Sequence, residues 1–396
     1  MTAHRPHWLV LIAVLWLGLA HAALAEDPVV QVRALPQASL LVKERGRDRI
    51  AYQAEVARIP ASTLKLLTAY AALESWGRDH RFHTDLFQDA SGWLWVKGYA
   101  DPYLVSEELD RLVTAIKRQG VHRVAGIGLD DSLFDPDLEI AGRSTSSNPY
   151  DAPVTALAAN FNTLNLIREG EHIHSAEPQT PLTATGERLG RLGPQGQQRI
   201  NLRERALALR YFGELLAAKL RTAGIEVGDR QQLATTPGTA KRLLRYQNSR
   251  TLAEMVAPML KYSNNFIANA LFLRLAAPDG QGQIRPGQAQ RALTDFARRR
   301  FGWTGFTIDD GAGLSRANRL SARQLVELLE AFAPYRDLMP QQDDDPNVRA
   351  KTGTLSGISS YAGYVRRGGV WEPFALLIEQ PVAYDLRRQV ASQLAR

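Results

Sequence analysis

Ile59-Pro60-Ala61-Ser62-Thr63-Leu64-Lys65 is the stretch on which the reading of this chain turns. Pro60 lies where the chain must enter a helix, and Ser62 falls in the first turn. An apolar run over residues 64–73 predicts the helix itself. A spacing of three places Ser62 and Lys65 on one helix face. Backbone N–H groups at a helix start favour negative charge beside Ser62. A serine is a poor nucleophile until a neighbouring base takes its proton. A lysine can be that base only when burial or a second cation lowers its pKa. Taken alone, the match reads better as an ordinary helix-start serine with a solvated lysine one turn later.

Two later stretches change that balance. Lys261-Tyr262-Ser263-Asn264-Asn265 falls between two predicted helices, the first ending near Lys261 and the second over 266–275. A loop there can aim Ser263 at the nucleophile as a proton relay. Asn265 offers a donor and an acceptor for holding a lysine and a substrate amide together. The competing reading is helix capping by Ser263 and the asparagines. Lys351-Thr352-Gly353-Thr354 lies on a predicted strand over 348–355. Gly353 permits close approach of a substrate backbone. Thr352, Thr354 and the Lys351 cation suit a carboxylate. A backbone N–H near Thr354, with that of Ser62, suits an oxyanion. The Lys351 cation is also the second charge that Lys65 needs.

Each motif is weak, but the three occur in one order, each on the element its chemistry requires. On these residues the chain resembles the penicillin-binding D-alanyl-D-alanine carboxypeptidases, specifically the periplasmic, class C, low-molecular-mass group with carboxypeptidase and endopeptidase activity. Residues 59–65 are similar to that family's P-A-S-x-x-K, and Lys261 to Asn265 to its K-x-S-x-N. Asp310-Gly311-Ala312-Gly313-Leu314-Ser315-Arg316 is similar to its D-G-x-G-L-S-R. Gly98-Tyr99-Ala100-Asp101-Pro102, Leu129-Asp130-Asp131-Ser132, and Tyr150-Asp151-Ala152-Pro153 with Asn160-Phe161-Asn162 resemble landmarks of its inserted region. The regions after Asn165 and over 338–348 are short for the family, which bears on the substrate groove more than on catalysis.

The resemblance implies a mechanism. Lys65 takes the proton of Ser62, and Ser62 attacks the carbonyl between two D-alanines of a peptidoglycan stem. Backbone N–H groups hold the oxyanion. Ser263, with Lys351 nearby, returns the proton to the leaving amine, and water cleaves the acyl-enzyme. The catalytic residues are then Ser62, Lys65, Ser263, Asn265 and Lys351, and the substrate contacts Thr352, Gly353 and Thr354. The partners implied are stem peptides ending in D-Ala-D-Ala or cross-linked through D-Ala, and β-lactams that acylate Ser62 and stay. No cofactor or metal is implied. Arg316 is a candidate fork for a substrate carboxylate, with a structural salt bridge as the alternative. Asp151 reads as a turn cap before it reads as a contact to a diamino acid.

The rest of the chain frames this site. Strands are predicted over 39–43 and 49–52, with Gly46 in the turn, and over 348–355, 359–366 and 371–378. Two strands from one end and three from the other complete one antiparallel sheet flanked by helices. This α/β (α+β) arrangement is, by resemblance, β-lactamase/transpeptidase-like. Residues 26–80 and 245–396 are then a split catalytic domain, and 81–244 a smaller inserted α/β domain, in which 175–200 reads as loop because it is rich in Pro, Gly, Gln and Thr. Arg5, the apolar stretch 8–20 and Ala23-Leu24-Ala25 predict a signal peptide over 1–25, cleaved before Glu26. That stretch is shorter than the roughly 20 residues that span a bilayer, so no transmembrane anchor is expected and the site is periplasmic. The chain has no cysteine, which excludes a thiol nucleophile and thiolate zinc sites. A net charge of +7 reads as a solvated arginine-rich surface. Arg298-Arg299-Arg300 has no interleaved aromatics, so nucleic acid is not a partner. His172 and His174 read as exposed histidines rather than a metal pair.

Two other functions fit the scaffold. A serine β-lactamase would need an efficient deacylating base, for which the sequence has no landmark in context. A non-catalytic peptidoglycan-binding scaffold would be expected to have lost a motif residue, and none is lost.

Overall fold

The computed structural model describes residues 27–396; the expected signal peptide over 1–25 lies outside the described residues. Its main sheet has six strands in the order Gln341–Gln342, Asp345–Leu355, Ile358–Arg367, Val370–Ile378, Ala38–Glu44, Arg47–Tyr52. All neighbours are antiparallel. The N-terminal hairpin therefore docks on the C-terminal meander through Ala38–Glu44, whose Leu41 faces Ala375. The run Ala38-Ser39-Leu40-Leu41-Val42 is buried throughout because both sheet faces are covered.

Side chains alternate across the sheet, and so do their destinations. Leu40, Val42, Phe374, Leu376 and Ile378 pack with Val32, Leu386, Val390 and Leu394 of the terminal helices Pro28–Ala34 and Leu386–Ala395. Leu41, Ala375 and Leu377 point the other way, into a helical layer. At the centre of that layer lies the helix Lys65–Trp76. Every residue from Lys65 to Leu73 is buried, as expected of a helix apolar on all sides. It packs on Leu252–Lys261, Asn265–Arg274, Gln288–Phe301 and Ala322–Phe332.

Residues between the main-sheet strands at 52 and 341 also form a second, five-stranded sheet in the order Lys241–Gln247, His83–Gln88, Leu94–Lys97, Arg123–Asp130, Glu226–Leu233. Its core is closed by the helices Ser106–Arg118 and Arg205–Thr222 through Leu109, Leu112, Ile116, Phe212, Leu215 and Leu216. The strand that returns towards the helical layer runs on to Gln247, pairing with His83. The outgoing and returning segments lie side by side: Asn248 N–H donates to Phe82 O at 2.9 Å and Leu252 N–H to His80 O at 2.7 Å.

The stretch 175–200 is not loop. It holds the helix Ala184–Leu192 and most of the strand Gly196–Asn201, which joins Thr163–Glu169 and His172–Ser175 in a three-stranded sheet. Gly190, read as a breaker, is instead a packing residue, because a Cβ there would sit 2.5 Å from the Ile173 side chain. Thr183 caps the helix by accepting from Gly186 N–H at 3.1 Å. His172 and His174 lie on a strand, both exposed. Among the described residues no cluster of three or more His, Cys, Asp or Glu is placed to hold a metal ion, and no helix is long and apolar enough to cross a membrane.

Candidate active site

Ser62 sits on a tight 3-10 turn, Ala61–Leu64, that runs into the helix begun by Lys65. The turn is held from several sides. Pro60 O accepts from Thr63 Oγ1 at 2.7 Å and from Ser360 Oγ, on the neighbouring strand, at 2.6 Å. The Glu379 carboxylate accepts from Ile59 N–H. Ala61 has φ 45°, a left-handed conformation that a non-glycine residue adopts only when its surroundings impose it. Gly313 is part of that imposition: a Cβ there would lie 1.9 Å from Ala61 O. Gly313 itself has φ +79°.

Gly313→Ala is therefore expected to push Ala61 and Ser62 out of place. The left-handed backbone alone costs an alanine roughly 1–2 kcal/mol, and the overlap with Ala61 O adds to it. The urea midpoint should fall and penicillin acylation should be lost. An unchanged midpoint with full acylation would show that the Gly313 turn does not set the Ser62 backbone.

Lys65 is fully buried, and its ammonium nitrogen has three neighbours. Nζ lies 3.0 Å from Ser62 Oγ, 2.7 Å from Asn265 Oδ1 and 2.6 Å from Ala312 O. Burial holds its pKa well below the ordinary lysine value; the Lys351 charge lowers it further, and Asp310 partly opposes them. A neutral amine has two N–H donors and one lone pair. Asn265 Oδ1 and Ala312 O are acceptors only, so they take the two N–H groups, and the lone pair is left facing Ser62. The orientation of Asn265 is set independently, because its Nδ2 donates to Tyr150 O at 3.1 Å. The carbonyl oxygen must then face Lys65.

The Asn265 side chain was expected to share itself between lysine and substrate. It reaches Lys65 as expected, but one of its two N–H groups is taken by Tyr150, from the turn Pro149–Asp151. Asn264, not Ser263, caps the following helix by accepting from Ile267 N–H at 3.0 Å. Ser263 stands one residue earlier, half-buried, with φ 55°, and its hydroxyl bonds no other protein group among the described residues. The capping alternative for Ser263 and Asn265 is thereby removed.

Lys351 is 1% exposed, and its Nζ donates to Thr352 O at 2.7 Å. Burial, then the Arg387 charge, push its pKa down to about 7. Gly353 brings this strand against the nucleophile: a Cβ there would be 2.8 Å from Pro60 O and 2.9 Å from Ser62 N. Thr352 is half-buried and Thr354 exposed. Arg316 is exposed and donates to Ser356 O, in the turn that follows the Lys351 strand. It forms no ion pair among the described residues, so the salt-bridge alternative does not apply to it. Asp151 is buried and accepts from Ser144 N–H at 3.1 Å, Ser144 Oγ at 2.5 Å and the Ser146 hydroxyl, which is the turn-capping role.

Several participants were given no role from sequence, although Asp310 and Ala312 lie in the family-like stretch 310–316. The Ala312 carbonyl is a main-chain group. It is held by Asp310, whose carboxylate accepts from Ala312, Leu314 and Ser315 N–H at 2.9, 3.1 and 3.2 Å and from Asn318 Nδ2 at 2.6 Å. Arg387, on the terminal helix Leu386–Ala395, is a further cation beside Lys351.

A serine hydroxyl beside a buried lysine, between a glycine-bearing strand and a Ser-x-Asn loop, is an arrangement suited to acyl-enzyme hydrolysis. The chain belongs to the D-Ala-D-Ala carboxypeptidase 3 (S13) family, whose model matches residues 29–185 and 189–343. It is accordingly a serine-type D-Ala-D-Ala carboxypeptidase by family. It is 26% identical over 419 residues to the D-alanyl-D-alanine carboxypeptidase of Actinomadura sp. (strain R39), an alignment covering 87% of this chain and 77% of that one. It is 25% identical to D-alanyl-D-alanine carboxypeptidase DacB of Haemophilus influenzae, covering 79% and 78%. The fold matches the crystal structure of penicillin binding protein 4 (dacB) from Haemophilus influenzae with TM-score 0.75 at 20% identity, over 93% of this chain and 98% of the other. It also matches a predatory peptidoglycan endopeptidase from Bdellovibrio bacteriovorus with TM-score 0.54 at 15% identity, over 91% and 90%. The α/β fold with an antiparallel sheet flanked by helices is thus the one expected.

Proposed function

We propose that this chain removes the terminal D-alanine from peptidoglycan stem peptides and opens D-Ala cross-links, through an acyl-enzyme on Ser62. The observation that carries the reading is the Lys65 nitrogen, buried, engaged by two obligate acceptors, and 3.0 Å from Ser62 Oγ. The Ser62 proton passes to Lys65 as Oγ bonds to the D-Ala carbonyl carbon. The backbone N–H groups of Ser62 and Thr354 receive the oxyanion. The C–N bond breaks, and the leaving amine takes a proton through Ser263 with Lys351 beside it. Water then attacks the ester and frees Ser62. When the leaving amine is D-alanine the reaction is a carboxypeptidase step. When it is the D-centre of a cross-linked diamino acid it is an endopeptidase step.

A β-lactam enters by the same attack, but its amine stays tethered and Ser62 remains acylated. The catalytic unit is residues 26–80 with 245–396, and 81–244 is an insertion whose Pro149–Asp151 turn touches the site through Asn265. A periplasmic location accords with the substrate and with the expected signal peptide. The test is incubation of purified protein with a stem pentapeptide, with cross-linked muropeptides and with nitrocefin. D-Alanine and uncrosslinked products, read by mass, are expected, with slow nitrocefin turnover. Rapid nitrocefin turnover without D-alanine would establish a β-lactamase in its place.

A further inference from the structure

Arg387 is a charged side chain in a place where charge is costly. It is 3% exposed, its Nε has no hydrogen-bond partner, and no carboxylate lies within ion-pair distance of it among the described residues. Its charged and titratable neighbours are Tyr384, Tyr361, Arg388 and Lys351, none of them a carboxylate. A buried guanidinium without a counter-ion is destabilising unless something else selects for it. Its bonds show where it acts: Nη1 donates to Gly353 O at 3.0 Å and to Thr354 Oγ1 at 2.7 Å. Gly353 is the residue that abuts the Ser62 backbone, and Thr354 is exposed beside it.

A guanidinium is donor-only. By occupying a lone pair of Thr354 Oγ1, it turns the threonine's own O–H outward, where it can meet only an acceptor. The unpaired cation behind that hydroxyl adds a positive potential in a poorly solvated setting. Together they describe a seat for an anion with acceptor oxygens. We propose that Arg387 is a specificity-determining positioning residue, which orients Thr354 and makes the site select substrates whose leaving residue carries a free carboxylate over the same substrates carrying a neutral amide.

This rests on the carboxypeptidase reading, and the test separates the two. Turnover is measured on one stem pentapeptide ending in D-Ala-D-Ala as the acid and as the C-terminal amide. For Arg387→Met, kcat/KM for the acid is expected to fall about tenfold or more beyond any loss on the amide, the scale of one charge-assisted hydrogen bond, so that the acid-to-amide ratio reports the selection apart from any effect on Lys351. Arg387→Lys, which keeps the charge without the fork, should restore part of the preference. Thr354→Val, an isosteric change at an exposed position, should lower the acid-to-amide ratio in the same way, and the double variant should lose little more. Equal losses on acid and amide would make Arg387 a structural residue and overturn the proposal, as would an unmoved ratio in Thr354→Val. A wild-type protein that turns over neither peptide would overturn the carboxypeptidase reading itself.

Discussion

Ser62→Ala is expected to abolish covalent labelling by fluorescent penicillin and to cut D-alanine release from a stem pentapeptide by at least about 10⁴-fold. The change is small in every other respect. The Ser62 hydroxyl is half-buried, and its contact is with Lys65; the turn is held through Pro60 O, Ile59 N–H and the Gly313 contact, none of which uses Oγ. Lys65 keeps Asn265 Oδ1 and Ala312 O. Stability should therefore change by no more than about 0.5 kcal/mol, read as an unchanged urea midpoint. A folded Ser62→Ala protein that still forms a denaturation-stable penicillin adduct would remove Ser62 as the nucleophile.

What could be read from sequence, and what could not, divides along physical lines. The sheet was legible because its strands are short apolar runs with clear turns. Gly368 and Gly369, both at positive φ, close the last hairpin between the strands expected over 359–366 and 371–378. Ser62, Lys65, Ser263, Asn265 and Lys351 were legible as residue types in order, because each is a side chain with its own chemistry. The missed parts act through the main chain or through burial. Ala312 contributes a carbonyl, which any residue has. Tyr150 likewise contributes its carbonyl, from a turn far from Asn265 in sequence. Arg387 is one arginine among many in a basic chain, and only burial beside Thr354 distinguishes it. The helix Ala184–Leu192 was missed because Gly186 and Gly190 were counted as breakers. Close packing on Ile173 requires a residue without a side chain at Gly190, so tertiary contact overrode local propensity.

Lys65→Met tests the other half of the nucleophile's chemistry, and it carries two expectations that point in opposite directions. Acylation should fall by about 10³-fold or more, the upper part of the range for general acid–base catalysis, because nothing else touching Ser62 Oγ can take its proton. Stability should respond through linkage. In the unfolded chain this lysine binds its proton up to about pH 10.4. In the fold, burial and the Lys351 charge lower that value, against Asp310. Between the two values the unfolded state holds a proton that the folded state lacks, so this group makes stability fall as pH falls and recover as pH rises. Methionine removes the term. Two acceptors, Asn265 Oδ1 and Ala312 O, lose their donor in the variant, and that cost offsets the whole comparison without changing its slope. The variant's stability relative to wild type should therefore increase as the pH is lowered from about 10, until the folded-state value of Lys65 is reached. Lys351, pushed down to about 7, titrates in both proteins, and the comparison is read above that value. Urea unfolding at several pH values reads the difference. Parallel curves would mean that Lys65 keeps its proton in the folded protein, and a protonated Lys65 cannot take one from Ser62.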